Sequence, residues 1–132
     1  YQRSIVQAAM DAGATFVIGG HPHVVQPMER TPNGGGVWYS HGNFLSGQLD
    51  TANRVGGIGE FTFHKMSDGS VVLGKMRFMP TYTTNPYQGM RYGVVPLVDA
   101  GKMGVVDAAD WKRQLVERMG SMSDVEVVDY LD

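Results

Sequence analysis

Cysteine is absent from the chain, which excludes a disulfide framework and a thiolate-held metal but leaves the compartment open. Positive charge is not in excess: eleven Lys and Arg stand against thirteen Asp and Glu, a formal net charge of -2. That balance argues against nucleic acid as the main partner, because phosphate binding needs a concentrated basic surface. No apolar run approaches the ~20 residues of a membrane span, and no signal-peptide pattern is present. A Ser-His-Asp order, a phosphate-cradling glycine loop and a dinucleotide fingerprint are all missing.

What is present suits one domain or part of a larger one: 132 residues, 42% of them hydrophobic. Tyr1 falls inside a helix-like segment, so the chain reads as a piece of a longer one. The eighteen glycines cluster at Gly34-Gly35-Gly36 and Gly56-Gly57, a distribution of turns and bulges and not of disorder. Nine methionines are dispersed, which suits adaptable packing better than a metal cluster. Charge is uneven. Residues 1–98 carry seven basic and five acidic side chains, whereas residues 99–132 carry four and eight. From Ser121 to Asp132 there are four acids and no base, so residues 1–120 read as the domain and 121–132 as a solvated acidic tail. The valines, Tyr130 and Leu131 in that tail leave part of it able to dock.

Periodicity predicts a first helix over 2–12, with Ile5, Ala8, Ala9 and Ala12 on one face and Gly13 as its cap. Thr15-Phe16-Val17-Ile18 follows as a short buried strand ending in Gly19-Gly20. Helix, glycine and strand in that order form a unit of an α/β layered fold. Segments 24–30 and 37–41 flank Thr31-Pro32-Asn33-Gly34-Gly35-Gly36, which predicts a hairpin with a loose loop. Segments 57–64 and 70–79 alternate apolar and polar residues around Ser67-Asp68-Gly69, a second hairpin. Phe61, Phe63 and Phe78 face its core or the sheet. Residues 92–98 add an edge strand, since Pro96 forbids a central place. Asp107 is expected to cap a helix over 108–120, where Trp111, Leu115 and Met119 recur at four-residue spacing.

The most pointed motif is Gly20-His21-Pro22-His23-Val24, just beyond a strand end, where ligands of open α/β sheets usually sit. Proline pushes the residue before it toward extended backbone, and in extended backbone residues i and i+2 project to the same side. Both imidazoles can then converge on one metal ion, since neutral imidazole suits Zn, Mn, Fe or Ni. Two histidines do not complete a site, which needs at least three protein ligands. The plainer readings are a satisfied polar loop or a pH-sensitive surface.

The run from Asp11 to Glu29, with Gly19-Gly20-His21-Pro22-His23-Val24-Val25-Gln26 at its centre, resembles a late stretch of CapA-type bacterial capsule synthesis (poly-γ-glutamate synthesis) proteins. Tyr39-Ser40-His41-Gly42-Asn43-Phe44 is similar to a second stretch of that family, with His41 where leucine is usual. The likeness covers residues ~1–48 well and the later strands loosely. It implies the C-terminal part of a calcineurin-like, four-layer αββα metallophosphatase-like sandwich holding two divalent ions (Mn, Fe or Zn), with His21 and His23 as metal ligands. The family's earlier motifs, an aspartate and histidine near the first strand and an asparagine-histidine element, have no counterpart here. The implied protein is a phosphoesterase-like hydrolase in capsule or poly-γ-glutamate synthesis, this chain alone being inactive. The competing reading is a non-catalytic polymer-binding or scaffold module of a membrane synthesis and export complex. Either version implies an extracytoplasmic, membrane-anchored protein whose anchor lies outside this chain. The expected partners are the remaining N-terminal part of the domain, an anionic polymer or phosphoester, and a second copy of the chain.

Asn43 is the candidate for a catalytic or substrate contact, with an ordinary turn residue as the equal alternative. His41 reads as a half-exposed strand-end residue more readily than as a donor behind the ligands. Glu29 has a structural role, paired with Arg30 or Arg54, or else orients a ligand histidine. His64 is expected to be solvated, and Tyr82 to Tyr87 to form a connecting loop. Half of a two-sheet sandwich would leave an apolar face uncovered.

Overall fold

The computed structural model describes all 132 residues. The first helix, α1, spans Gln2–Asp11 and ends where Gly13 takes φ +97°, a left-handed turn that favours glycine. Three short strands follow: β1 (Phe16–Ile18), β2 (Met28–Arg30) and β3 (Gly36–Trp38). They form one sheet in the order β1-β3-β2, with β1 parallel and β2 antiparallel to β3. The loop between β2 and β3 is closed by Thr31 N–H to Gly35 O (3.0 Å) and by the Asn33 side chain.

The second sheet is built on a long hairpin. β4 (Val55–Lys65) and β5 (Val71–Thr84) pair antiparallel, with a bulge between Phe61 and Phe63. Asp68 shapes the turn by accepting from the Ser70 backbone (2.9 Å) and hydroxyl (2.6 Å), and Gly69 supplies the positive φ. A short helix, α2 (Thr51–Arg54), leads into β4. After a single helical turn at Pro86–Gln88, β6 (Gly93–Pro96) runs antiparallel beside Thr81–Thr84 at the sheet edge. The helices α3 (Leu97–Lys102) and α4 (Ala108–Gly120) follow. Finally β7 (Glu126–Val127) lies parallel to β5 at Arg77 and Phe78. Pro80 is tolerated within β5 because it falls in the gap between the partners of β7 and β6, where no second ladder bond is lost.

The fold is thus mixed α/β, as expected, with both hairpins, the edge strand at Pro96 and the terminal helix where the sequence puts them. Its core joins Trp38 and Met28 of the small sheet, Phe78, Met76 and Tyr82 of β5, and Leu115 and Met119 of α4. Phe78 packs against Gly57, where a Cβ would overlap its ring.

Several expectations fail. β1 is not buried: Ile18 is 59% exposed, and no residue of α1 is buried, Ile5 being 51% exposed. The apolar stripe of α1 meets nothing that covers it, and a cleft of about 500 Å³ stays open between Ile5, Val17, Ile18 and His21. Phe63 lies 45% exposed and is not a core residue. Asp107 precedes α4 without a side-chain capping bond. Tyr82 belongs to β5 and is fully buried, and is not a loop residue. The helix α3 was not foreseen; it carries no long periodicity, and it is held by burial of Leu97 and Ala100.

The acidic segment 121–132 keeps its carboxylates largely exposed while Val125 and Val127 pack against the core, so part of it docks. Val128 N–H donates to Phe78 O (2.9 Å) and the Ser123 hydroxyl to Met28 O (2.9 Å). No helix is long and apolar enough to cross a membrane.

Candidate functional site

The strand β1 and its continuation set the site. Gly19 N–H donates to Trp38 O (2.7 Å), which carries β1 pairing one residue past the strand. A Cβ at Gly19 would overlap the Tyr39 carbonyl, so only glycine permits this close approach. Within a few residues the chain reverses to enter β2: Val25 bridges His41 antiparallel, and Gln26 N–H donates to Ser40 O (2.9 Å).

That reversal is made at the histidines. His21 has φ +93° and His23 φ +59°, the only non-glycine residues with positive φ. Each costs on the order of 1–3 kcal/mol relative to ordinary backbone. The extended His-Pro-His geometry expected from Pro22 is therefore overturned. The local proline rule still keeps His21 out of the helical region, but two fixed flanking pairings demand a tight turn, and the turn wins. As a result the rings do not lie side by side: their centroids are 6.5 Å apart with planes at 42°. Both side chains are exposed.

Asn43 belongs with them. Its Oδ1 lies 2.8 Å from His23 Nδ1, and its Nδ2 donates to Gln48 Oε1 (2.7 Å) and Asn53 O (2.8 Å). Both amide hydrogens are thereby used on acceptors, so the oxygen must face the ring. An amide oxygen can only accept, hence His23 Nδ1 carries the proton and Nε2 presents its lone pair outward. This is the arrangement in which an imidazole ligates a metal while a partner fixes its orientation. Asn43 acts here through His23. Gln48 and Asn53, which brace Asn43, carry no sequence signal that marks them.

Gly42 (φ +70°) bridges Gly56 and packs against Val25, which ties the Asn43 loop to the histidine loop and to β4. His41 is exposed; its ring meets the edge of Trp38 at 6.1 Å and lies over Gly20, so it sits beside the histidine loop without bonding to it.

Glu29 neither orients a histidine nor pairs with Arg30 or Arg54. It accepts from the Tyr39 hydroxyl (2.7 Å) and lies 3.8 Å from Arg3. Burial, and then the hydrogen bond to Glu29, push the Tyr39 hydroxyl above its ordinary pKa and keep it a donor. His64 is exposed, as expected. No group of three or more His, Asp or Glu side chains is placed to hold a metal ion. Imidazole is a donor that suits a divalent ion, and two of them supply part of a ligand set and not a whole one.

Residues 1–48, which contain both histidines and Asn43, match the family described as bacterial capsule synthesis protein PGA_cap. That stretch of the chain is similar to capsule-synthesis proteins of the CapA type. The chain is 38% identical over 68 residues to the PGA biosynthesis protein CapA of Bacillus subtilis (strain 168), covering 52% of this chain and 18% of that protein. It is 32% identical over 72 residues to the capsule biosynthesis protein CapA of Bacillus anthracis, covering 54% of this chain and 17% of that protein. The chain thus spans less than a fifth of either relative. The family match ends just after the loop of Asn43, so the long hairpin, α3, α4 and the docked tail lie beyond it.

Proposed function

We propose that this chain supplies the histidine pair of a two-metal, phosphoesterase-like hydrolase acting in capsule or poly-γ-glutamate synthesis, with the remaining ligands contributed from outside these 132 residues. The observation that carries the reading is the Asn43 bond, which occupies His23 Nδ1 and leaves Nε2 of this exposed side chain free. The strained backbone at His21 and His23 supports it, because left-handed non-glycine residues gather where geometry serves function. A pair of divalent ions, Mn, Fe or Zn, would supply Lewis acidity toward a phosphoester oxygen. His21 and His23 would hold them, Asn43 would keep the His23 ring in its ligating tautomer, and the cleft beside His21 would be closed by the rest of the domain. That cleft, open along Ile5, Val17 and Ile18, is the surface expected to receive the other half of the sandwich.

Turnover of a generic phosphoester by the full-length protein, supplied with Mn, Fe or Zn, tests this. Activity is expected with the unaltered protein and not with His23→Ala. Turnover that survives His23→Ala refutes the assignment. A second reading, a non-catalytic polymer-binding or scaffold module of a membrane export complex, draws on the lack of any third ligand in the chain. Under both readings the protein works outside the cytoplasm, anchored by a segment other than this one.

A further inference from the structure

The docked acidic tail shows what its seat recognises. Asp124 meets Arg30 fork to fork: Nε to Oδ1 at 2.7 Å and an Nη to Oδ2 at 3.2 Å. Arg30 is held ready for that contact, since it also donates to Leu73 O (3.0 Å) and Gly74 O (2.6 Å). Glu126 pairs with Lys75 at 2.8 Å, and Asp132 with Arg77 at 2.6 Å. Lys75 and Arg77 are two residues apart on β5, so they share one face, roughly 6–7 Å apart along the strand. Asp129 pairs with Lys112 of α4, and Lys102 and Asp99 hold the Tyr130 hydroxyl, which clasps the rest of the strap. Paired carboxylate and guanidinium forks of the Asp124 kind fit carboxylates in shape as well as charge.

The charge balance points the same way. Without Asp124, Glu126, Asp129 and Asp132 the eleven basic side chains outnumber the nine remaining acids, so the tail alone turns a net positive chain negative. Its removal leaves Arg30, Lys75 and Arg77 facing only Glu60, which lies 3.1 Å from Arg77. The Arg30–Asp124 and Lys75–Glu126 pairs lie at the surface and are individually weak, about 0.2–1 kcal/mol each, while Asp132 sits 89% exposed on the more enclosed Arg77, so a competing polyanion that meets all three bases at once can displace the carboxylates.

We propose that Arg30, Lys75 and Arg77 form a binding patch for a polycarboxylate chain, and that residues 124–132 occupy it as an internal competitor. The patch needs nothing of the histidine pair, so its failure and the failure of the metal reading are separable.

Fluorescence anisotropy of labelled poly-γ-glutamate, titrated with the protein at low salt, tests the proposal. Asp124→Asn/Glu126→Gln/Asp132→Asn keeps Val125 and Val127 in place and is expected to bind the probe at least tenfold more tightly than the unaltered chain. Adding Lys75→Ala and Arg30→Ala should remove that gain. A chain ending at Ser123 provides a second form with the whole strap absent, and the same gain is expected. Equal affinity for the unaltered and neutralised forms overturns the proposal. So does an equal gain toward a polyphosphate of matched charge, which would mark a general anion surface.

Discussion

Asn43→Ala separates an oriented histidine from one that merely happens to be near an amide. The substitution removes three hydrogen bonds, to His23 (2.8 Å), Gln48 (2.7 Å) and Asn53 O (2.8 Å). His23 and Gln48 are exposed and can bond to water instead, whereas the Asn53 carbonyl is half-buried. At about 0.5–1.5 kcal/mol net for a bond lost without replacement, the stability cost should be about 1–2 kcal/mol. The larger effect falls on the ring. Loss of such a partner behind a ligating histidine typically costs ~10–100-fold in metal affinity. The direct assay is ring nitrogen NMR at a pH where His23 is neutral: the unaltered chain should show Nδ1 protonated and Nε2 bare, and Asn43→Ala should lose that bias. A bare Nδ1 in the unaltered chain would refute the reasoning, because the Asn43 amide would then have to be reversed and its bonds to Gln48 and Asn53 broken.

His21→Gly should raise the melting temperature by a few degrees, since glycine relieves φ +93° at a cost of on the order of 1–3 kcal/mol, while it removes a proposed ligand; unchanged or lower stability by thermal unfolding would count against strain there. Phe78→Ala should destabilise by about 3–5 kcal/mol, because the ring is fully buried against Gly57 and Trp38; denaturant titration reads it, and a loss under 1 kcal/mol would contradict the core described. Bonds to Arg30, Lys75 and Arg77 hold the Asp124, Glu126 and Asp132 carboxyls below their ordinary values of 3.8 to 4.5. Their contribution is complete above those values and is lost as pH falls through the lowered ones, so tail docking should loosen below about pH 4. Hydrogen exchange at the Val128 amide, bonded to Phe78 O, checks this; protection unchanged between pH 6 and pH 3 would contradict it.

Much of the β framework was legible because it rests on local chemistry. Ser67-Asp68-Gly69 and the alternating residues around it specify the long hairpin, and Pro96 specifies an edge. Trp111, Leu115 and Met119 mark α4 by spacing, although only Leu115 and Met119 are fully buried. Burial was less legible. An apolar run such as Phe16-Val17-Ile18 reads as buried whether or not anything covers it, and here nothing covers Ile18. The acidic tail keeps its charges exposed, but their partners come from β2, β5 and α4, which no local pattern names.

At the site, the sequence names His21, His23 and Asn43 separately. It does not pair His23 with Asn43, twenty positions later, because the loops carrying them are joined by tertiary contacts, the Val25–His41 bridge and Gln26 N–H to Ser40 O. Nor does it foresee the left-handed backbone. Pro22 favours an extended neighbour, and only the tertiary need to turn from β1 into β2 overrides that preference.

The central claim is that His21 and His23 are metal ligands, and the metal content of the full-length protein, purified without chelators, tests it most directly. About two equivalents of Mn, Fe or Zn are expected, lost in His21→Ala/His23→Ala. A protein that carries no metal and takes none up on titration, or one whose metal survives both substitutions, would contradict the account.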